Sequence, residues 1–405
     1  MIREWLISAY LFLFQSLFIL CKLFPQKEKI VFAVSFSDNS KYLADEFQKE
    51  HVKAELVFLC KGNCVADFPE EKGKSIPLET PNPVALLRAA YHLATSKLVF
   101  VDNYFGFLSV VKFRRGVKCI QIWHAAGALK KFGLEDRSVR LRTKRANRRF
   151  ISVYQHFDKV ITGSDIMAEI FKRSFGVTEE RILRTGIPRT DFFYQLASPD
   201  SAVSVKRRED DQDKRVKKVL PFLEGTLADK KKILYAPTYR DGELSAEKIH
   251  LDLELMREAL GRDYVLLLRL HPAVHKDFEI RGQDKAFAFD CSAYQDVNEL
   301  LLVSDILVTD YSSLPVEYAL LKKPMIFYPY DLDDYGKERG FQTEYMDWIP
   351  GPVAFTTQEV IHLIRQNDFD LNAIASFSSL WNRYSKGCSS RNVVQYAIKS
   401  CGLLQ

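Results

Sequence analysis

The chain runs to 405 residues, long enough for two domains of ordinary size, and 47% of it is hydrophobic, which excludes wholesale disorder. The net charge is +6 with both signs well mixed, a modest basic excess that suits an anionic substrate or a membrane surface and does not read as a dedicated nucleic-acid binder. Seven scattered cysteines (Cys21, Cys60, Cys64, Cys119, Cys291, Cys388, Cys401) are odd in number, against a disulfide framework; Cys60-x-x-x-Cys64 lacks a second ligand pair, so no zinc site is expected, and the reduced cytosol is the simplest compartment.

Trp5 to Phe24 is almost entirely apolar. Twenty helical residues span about 30 Å, the thickness of a hydrocarbon core. No small-residue cleavage site follows, which argues against a secretory signal. Three readings remain: a transmembrane anchor, a helix lying in the bilayer interface, or a helix packed on its own domain. Ser8, Gln15 and Ser16 make the span less than ideal. Residues 1–26 are therefore expected to form a membrane-associating helix. Lys22 and Lys27 at its carboxyl end place the body on the cytoplasmic side, although Arg3 sits at the other end.

Beyond it, strands and helices alternate at short intervals. Strands are expected at Lys29 to Ser35, Ala54 to Cys60, Lys97 to Asp102, Lys118 to Trp123, Asp158 to Gly163 and Ile182 to Gly186, with helices at Asp38 to Gln48 and from Asn82-Pro83 to about Ala94. Ser201 to Val219 is charged and free of aromatics, an interdomain connection or a solvated helix. A second series follows with strands at Ile233 to Tyr235, Tyr264 to Leu270, Ala286 to Phe289, Ile306 to Val308 and Met325 to Tyr328; the tail from about Thr357 to Leu404 is helical in pattern. The pattern predicts an α/β protein of two Rossmann-like domains facing a central cleft. Its parts are an N-terminal domain over 27–200, a charged connection over 201–230, a C-terminal domain over 231–375 and C-terminal helices over 376–405. No G-x-G-x-x-G turn is present, which disfavours a dinucleotide dehydrogenase.

Four polar clusters sit at predicted strand ends, where open α/β sheets bind ligands. His124 directly follows the strand ending at Trp123; it is either a proton-exchanging group or a histidine satisfied by backbone groups. Arg240 lies in Tyr-Ala-Pro-Thr-Tyr-Arg-Asp and can pair with phosphate or with a neighbouring carboxylate. Arg269 interrupts a buried run just before His271-Pro272 and calls for an anionic partner. The turn Thr309-Asp310-Tyr311-Ser312-Ser313 opens a helix, with the serines either cradling phosphate or capping. A basic run, Arg137 to Arg149, carries seven Arg or Lys. It is either a solvated helix or a contact for anionic lipid or diphosphate, at about 1 kcal/mol per basic residue.

Together these stretches resemble the CDP-glycerol glycerophosphotransferase family of teichoic acid synthesis. The matching pieces are Trp123 to Gly133, Tyr235 to Asp241, Arg269 to Pro272, Thr309 to Ala319, Tyr328 to Tyr335, Arg339 to Phe341 and Pro350 to Pro352. Asp102 to Phe105, Lys130 to Asp136 and the apolar start are most similar to members that add the first glycerol phosphate to a lipid-linked disaccharide. The resemblance implies a GT-B-like fold with the donor in the C-terminal domain. It implies that His124 and His271 are the functional histidines, His124 as base for the acceptor hydroxyl and His271 on the donor diphosphate. Asp136 is a second candidate for the base. Ser312 and Ser313 would hold the donor phosphates and Glu317 the glycerol or ribose hydroxyls; Asp310 and, by charge logic, Arg240 and Arg269 complete the donor side. Lys130, Lys131, Asp136, Arg142, Arg145 and Arg149 are the acceptor- or lipid-binding candidates. One departure is Ala125-Ala126, where members often have Gly-Thr.

The implied reaction is attack of a sugar hydroxyl of an undecaprenyl-diphosphate-linked disaccharide on the β-phosphorus of CDP-glycerol, expelling CMP at the cytoplasmic membrane surface. No Asp-x-Asp motif is present and no cofactor is expected to be required, with room for Mg²⁺ on the donor diphosphate. Competing expectations are a transferase that adds further glycerol phosphate or ribitol phosphate units to teichoic acid or capsule, a nucleotide-sugar glycosyltransferase of the same fold, and a non-catalytic membrane scaffold.

Overall fold

The structure, a computed structural model, describes residues 2–197, 219–221, 226–238, 240, 249–270 and 278–403. The chain divides into two compact units: one of Met1–Ala126, Lys131–Asp191 and Trp381–Gln405, and one of Gly127–Lys130 with Phe192–Leu380.

The first unit is built on seven parallel strands: β1 (Lys29–Val34), β2 (Glu55–Cys60), β3 (Lys74–Pro77), β4 (Leu98–Val101), β5 (Lys118–Gln121), β6 (Lys159–Ile161) and β7 (Ile182–Leu183), in the order β3-β2-β1-β4-β5-β6-β7. The central strands are apolar on both faces because helices cover both, as a parallel sheet requires. In-register pairing sets Phe32 opposite Phe58 and Phe100, and the rings stack at 5.2 and 5.0 Å between centroids. The order reverses between β1 and β4, so the carboxyl ends of those strands open a crevice.

Helix α1 (Ile2–Cys21) lies on this unit. Phe14 and Phe18 are buried, meeting Phe107 at 5.4 Å and Phe113 edge-on at 5.9 Å. The Arg114 guanidinium fastens the helix end by donating to the carbonyls of Lys22 (2.6 Å) and Phe24 (2.5 Å). The opposite face exposes Trp5, Leu6, Phe12, Ile19 and Leu20. By length and composition the stretch could cross a membrane; in the structure one side of it is committed to its own domain. Helices α2 (Ser37–Lys49) and α3 (Pro83–Ala94) follow β1 and β3, and α4 (Lys144–Gln155) and α5 (Asp165–Phe175) flank β6. The last helix, Ser389–Cys401, belongs to this unit rather than to the second. Its first N–H groups, of Ser389 and Ser390, donate to the buried Asp191 carboxylate at 2.9 and 2.7 Å.

The second unit holds five parallel strands, β8 (Lys231–Ala236), β9 (Tyr264–Leu268), β10 (Ala288–Asp290), β11 (Ile306–Thr309) and β12 (Met325–Phe327), in the order β10-β9-β8-β11-β12. Ile233, Leu266, Val308 and Ile326 form the centre of its core, sealed by Val360 and Ile364 of the helix Thr357–Gln366. The order reverses between β8 and β11, which makes their carboxyl ends the counterpart crevice. The charged connection expected over 201–230 lies mostly outside the described residues.

Candidate active site

In the first unit, Ser35 and Phe36 follow β1, Asp102 follows β4 and His124 follows β5. Asp102 is fully buried, and its carboxylate accepts the N–H of Ser35 (2.8 Å) and of Phe36 (2.7 Å). Burial pushes its pKa up to about 7, against the backbone hydrogen bonds that favour the charged form. Its own carbonyl lies 3.1 Å from His124 Nδ1. When Nδ1–H donates there, the neutral ring carries its lone pair on Nε2.

The half-buried imidazole stacks on Phe36 (4.4 Å) and Trp123 (4.3 Å). Trp123 adopts a φ of 53°, rare for a bulky residue and costing on the order of 1–3 kcal/mol. The surroundings hold it there. Its N–H donates to Gln121 Oε1 (2.8 Å), and Asn39 Nδ2 donates to the carbonyls of Ile122 and Trp123 at 3.0 Å each. The indole packs against Phe132, Phe171 and Phe175. The His124 carbonyl accepts from Arg189 Nη1 (3.1 Å), a buried guanidinium also paired with Asp38 (3.1 Å). The chain thus turns sharply off β5 and fixes His124 from both its backbone and its ring.

In the second unit, Arg240 and Asp310 are engaged with each other. Arg240 is buried; its Nη1 donates to Asp310 Oδ2 (2.5 Å) and to the Thr238 carbonyl, and its Nε and Nη2 reach the two oxygens of Asp331 at 3.0 and 2.8 Å. Asp310 Oδ1 accepts the N–H of Thr238 and of Tyr311, and the Tyr311 hydroxyl donates to Asp331 (2.9 Å). Burial alone would raise the Asp331 pKa; the Arg240 hydrogen bonds and charge outweigh it and hold the carboxyl below its usual range. Of the two roles open to Arg240 from the sequence, it is the carboxylate pairing that the structure displays. The network ties the end of β8 to the turn after β11. In that turn Ser312 Oγ accepts the Leu314 N–H (3.2 Å), while Ser313, at the helix start, makes no side-chain cap. Glu317, within the helix Leu314–Tyr318, is 1% exposed. Arg269 donates to the Ser292 carbonyl. His271 lies outside the described residues.

The basic run is not one helix. Residues Arg137–Leu141 form a short 3₁₀ turn capped by Asp136 on the Ser138 N–H (2.8 Å), and α4 starts afresh after Thr143, which caps Ala146 N–H (3.1 Å). Arg142 donates to Ser138 Oγ (2.8 Å), lies 3.6 Å from Asp136 and covers the Phe150 ring at 3.9 Å. Arg149 forks onto Glu4 of α1 with both bonds at 3.2 Å, and Arg145 is exposed. Lys130 and Lys131 fall on either side of the division into units; Lys130 bridges to Phe341 in the second, and Lys131 is half-buried in the first. Gly133, in the same stretch, has φ +64°, and a Cβ there would stand 2.2 Å from the Ser174 carbonyl oxygen.

Asp102, Arg189 and Asn39 around His124, and Asp331 beside Arg240, were not among the candidates drawn from the sequence. Asp102 and Asp331 do lie inside the motif stretches at 102–105 and 328–335, which is the one signal that marked them. Among the described residues no group of three His, Cys, Asp or Glu side chains could hold a metal ion.

The profile of the family described as CDP-Glycerol:Poly(glycerophosphate) glycerophosphotransferase matches residues 16–399. The chain is 34% identical over 398 residues to a teichoic acid glycerol-phosphate primase of Bacillus subtilis (strain 168), covering 98% of each. It is 32% identical to a teichoic acid poly(glycerol phosphate) polymerase of the same organism, covering 96% of this chain but 51% of the polymerase. The solved structure of the wall teichoic acid polymerase TagF superposes with a TM-score of 0.79 at 25% identity, over 99% of this chain and 98% of that one. The fold is accordingly the GT-B-like one of TagF, two α/β units with parallel sheets. On these matches, and with the motif stretches at the ends of β5, β8 and β11, the chain belongs to the CDP-glycerol glycerophosphotransferase family and is a transferase of teichoic acid synthesis.

Proposed function

We propose that the protein transfers glycerol phosphate from CDP-glycerol to a sugar hydroxyl of an undecaprenyl-diphosphate-linked ManNAc-GlcNAc disaccharide, releasing CMP, as the priming step of wall teichoic acid synthesis. The observation that carries this reading is the 34% identity spanning 98% of both chains with a glycerol-phosphate primase. A TagF variant soaked with CDPG shares the fold at a TM-score of 0.77 and 26% identity, which supports the same donor here.

In the reaction, the acceptor oxygen attacks the β-phosphorus, the bond from that phosphorus to the bridging oxygen breaks, and CMP leaves. His124 Nε2 takes the hydroxyl proton; the Asp102 carbonyl on Nδ1 favours the tautomer that can do so. His271 is assigned to the donor diphosphate, with Ser312 and Ser313 on its phosphates and Glu317 on a glycerol or ribose hydroxyl. Arg240 and Asp310 act by holding the turn that carries the serines, because their charges already face one another. Arg269 completes the donor side. Asp136 stands in reserve as base; Lys130, Lys131, Arg142, Arg145 and Arg149 face the acceptor or lipid. No cofactor is required, and Mg²⁺ bound with the donor diphosphate is compatible with the scheme. Phosphoryl transfer of this kind depends on positioning and charge neutralisation more than on covalent help.

The exposed apolar face of α1, with exposed Arg145 and Arg148 on α4, supports attachment to the cytoplasmic face of the membrane by an interfacial helix. The test is incubation with CDP-glycerol, CDP-ribitol or UDP-sugars and a lipid-diphosphate disaccharide. CMP release with one glycerol phosphate added per acceptor is expected; transfer only from CDP-ribitol, or release of UMP, overturns the assignment.

A further inference from the structure

A cavity of about 840 Å³ lies within the first unit, under α1. Its size is that of a site for a small organic ligand. One wall is apolar, from Ile7 and Leu11 of α1. Another is cationic, from Arg142 and Arg149. Two details point to an occupant. The Tyr10 hydroxyl is buried at the cavity and has no hydrogen-bond partner among the described residues. Arg149, whose planar fork suits a phosphate or carboxylate, is met by the Glu4 carboxylate, with each of its terminal nitrogens 3.2 Å from one carboxylate oxygen. A carboxylate held in that way occupies the position of a bidentate oxyanion, and it comes from the same helix that supplies the apolar wall.

We propose that this cavity binds the prenyl-diphosphate end of the lipid-linked acceptor, the diphosphate displacing Glu4 from Arg149 and the first isoprene units lying along the inner face of α1. The inference rests on the acceptor reading above and adds a place for its lipid end. The position is consistent with that reading. Lys61, directly after β2, and Tyr104, two residues beyond Asp102, also line the cavity, so it opens at the same carboxyl edge of the sheet as His124. The opposite face of α1 is exposed and apolar, so a prenyl chain passing under the helix can continue into the lipid without crossing water. The charges agree once the cavity's second carboxylate is counted: Glu79 is paired with Lys61 at 2.7 Å, so with Glu4 off its fork Arg149 has a formal charge to give to a diphosphate, and Tyr10 has a hydroxyl to donate.

The probe is tritiated farnesyl diphosphate, measured by equilibrium dialysis against the full-length protein, with inorganic pyrophosphate and farnesol as competitors. Wild type is expected to bind it, and Arg149→Ala to bind roughly tenfold to a hundredfold more weakly, as for loss of a charge-assisted pair. Glu4→Gln removes the carboxylate charge that competes for the guanidinium, leaving its Tyr104 partner, and is expected to bind more tightly than wild type; because this variant breaks the same ion pair, it separates loss of the ligand contact from loosening of α1. Weaker binding by Glu4→Gln as well, or displacement by pyrophosphate at the same concentration as by unlabelled farnesyl diphosphate, overturns the site. CMP release from CDP-glycerol with a soluble disaccharide acceptor reads the transferase assignment separately. Transfer to that acceptor with no farnesyl diphosphate binding counts against this cavity alone, and farnesyl diphosphate binding with no CMP release counts against the transferase reading alone.

Discussion

Replacing Asp331 with Ala removes one half of the ion network in the second unit. Asp331 takes two hydrogen bonds from a guanidinium that is 7% exposed and one from the Tyr311 hydroxyl. Breaking a buried pair from one side costs about 3–5 kcal/mol, because the remaining charge stays buried. Asp310 continues to face Arg240, so the lower end of that range is expected. For a unit of this size, about 3 kcal/mol corresponds to a fall in Tm of roughly 6–12 °C. The assay is scanning calorimetry of the full chain, alongside KM for CDP-glycerol. KM should rise, since the same network fixes the turn carrying Ser312 and Ser313. The pH dependence supplies a second check. Asp331 has a depressed carboxyl pKa, so its contribution is present above the ordinary aspartate value and is lost as pH falls through the depressed one. The Ala variant should therefore lose less stability than wild type as pH falls below about 4. A Tm within 2 °C of wild type, about the effect of less than 1 kcal/mol, would refute the argument that the pair is structurally required.

Three further outcomes are expected. His124→Ala should lower kcat by about 10²- to 10⁴-fold, with Tm shifted by less than that of Asp331→Ala; full activity in CMP release would remove His124 from the chemistry. Asp102 has a raised folded pKa of about 7, so the folded state binds the extra proton and this group's contribution to stability declines as pH rises from about 4 to 7. Asp102→Asn should flatten that decline, as read by urea unfolding at a series of pH values. Phe12→Glu places a charge on the exposed face of α1 and should reduce sedimentation with anionic vesicles several-fold while leaving Tm unchanged, because Phe12 is 71% exposed.

The strands were legible because burial on both faces leaves a simple signature. Lys29 to Ser35 and Ala54 to Cys60 differ from β1 and β2 by one residue each. Strand β3 (KSIP) left no such run: it is a short edge strand with a single fully buried side chain, Ile76. The apolar stretch at the amino terminus read clearly as a helix, but its partner did not, since twenty apolar residues satisfy a bilayer and a protein face alike. Phe14 on Phe107 and Arg114 on the helix end show that one face packs on protein. In the basic run the capping residues Asp136 and Thr143 were visible in the sequence, and the charge pattern masked them. Arg240 shows the other limit. Its partners lie 70 and 91 residues further on, and no local pattern connects them. Sequence motifs located the strand ends where polar groups collect, but not which charges face each other there.

The stacked Phe32, Phe58 and Phe100 have a consequence for how this protein tolerates change. They lie on three adjacent strands at matched register, so slipping any one strand by a residue would send its ring to the opposite face of the sheet. The alignment of the strand tips therefore comes from within the sheet rather than from the segments joining the strands. The exposed tip 69–71 of the connection between β2 and β3 can therefore lengthen or accept an inserted tag or fluorophore, while Phe68, stacked on Phe58 at 4.0 Å, stays in the core and Ser35, Asp102 and the turn to His124 keep their level.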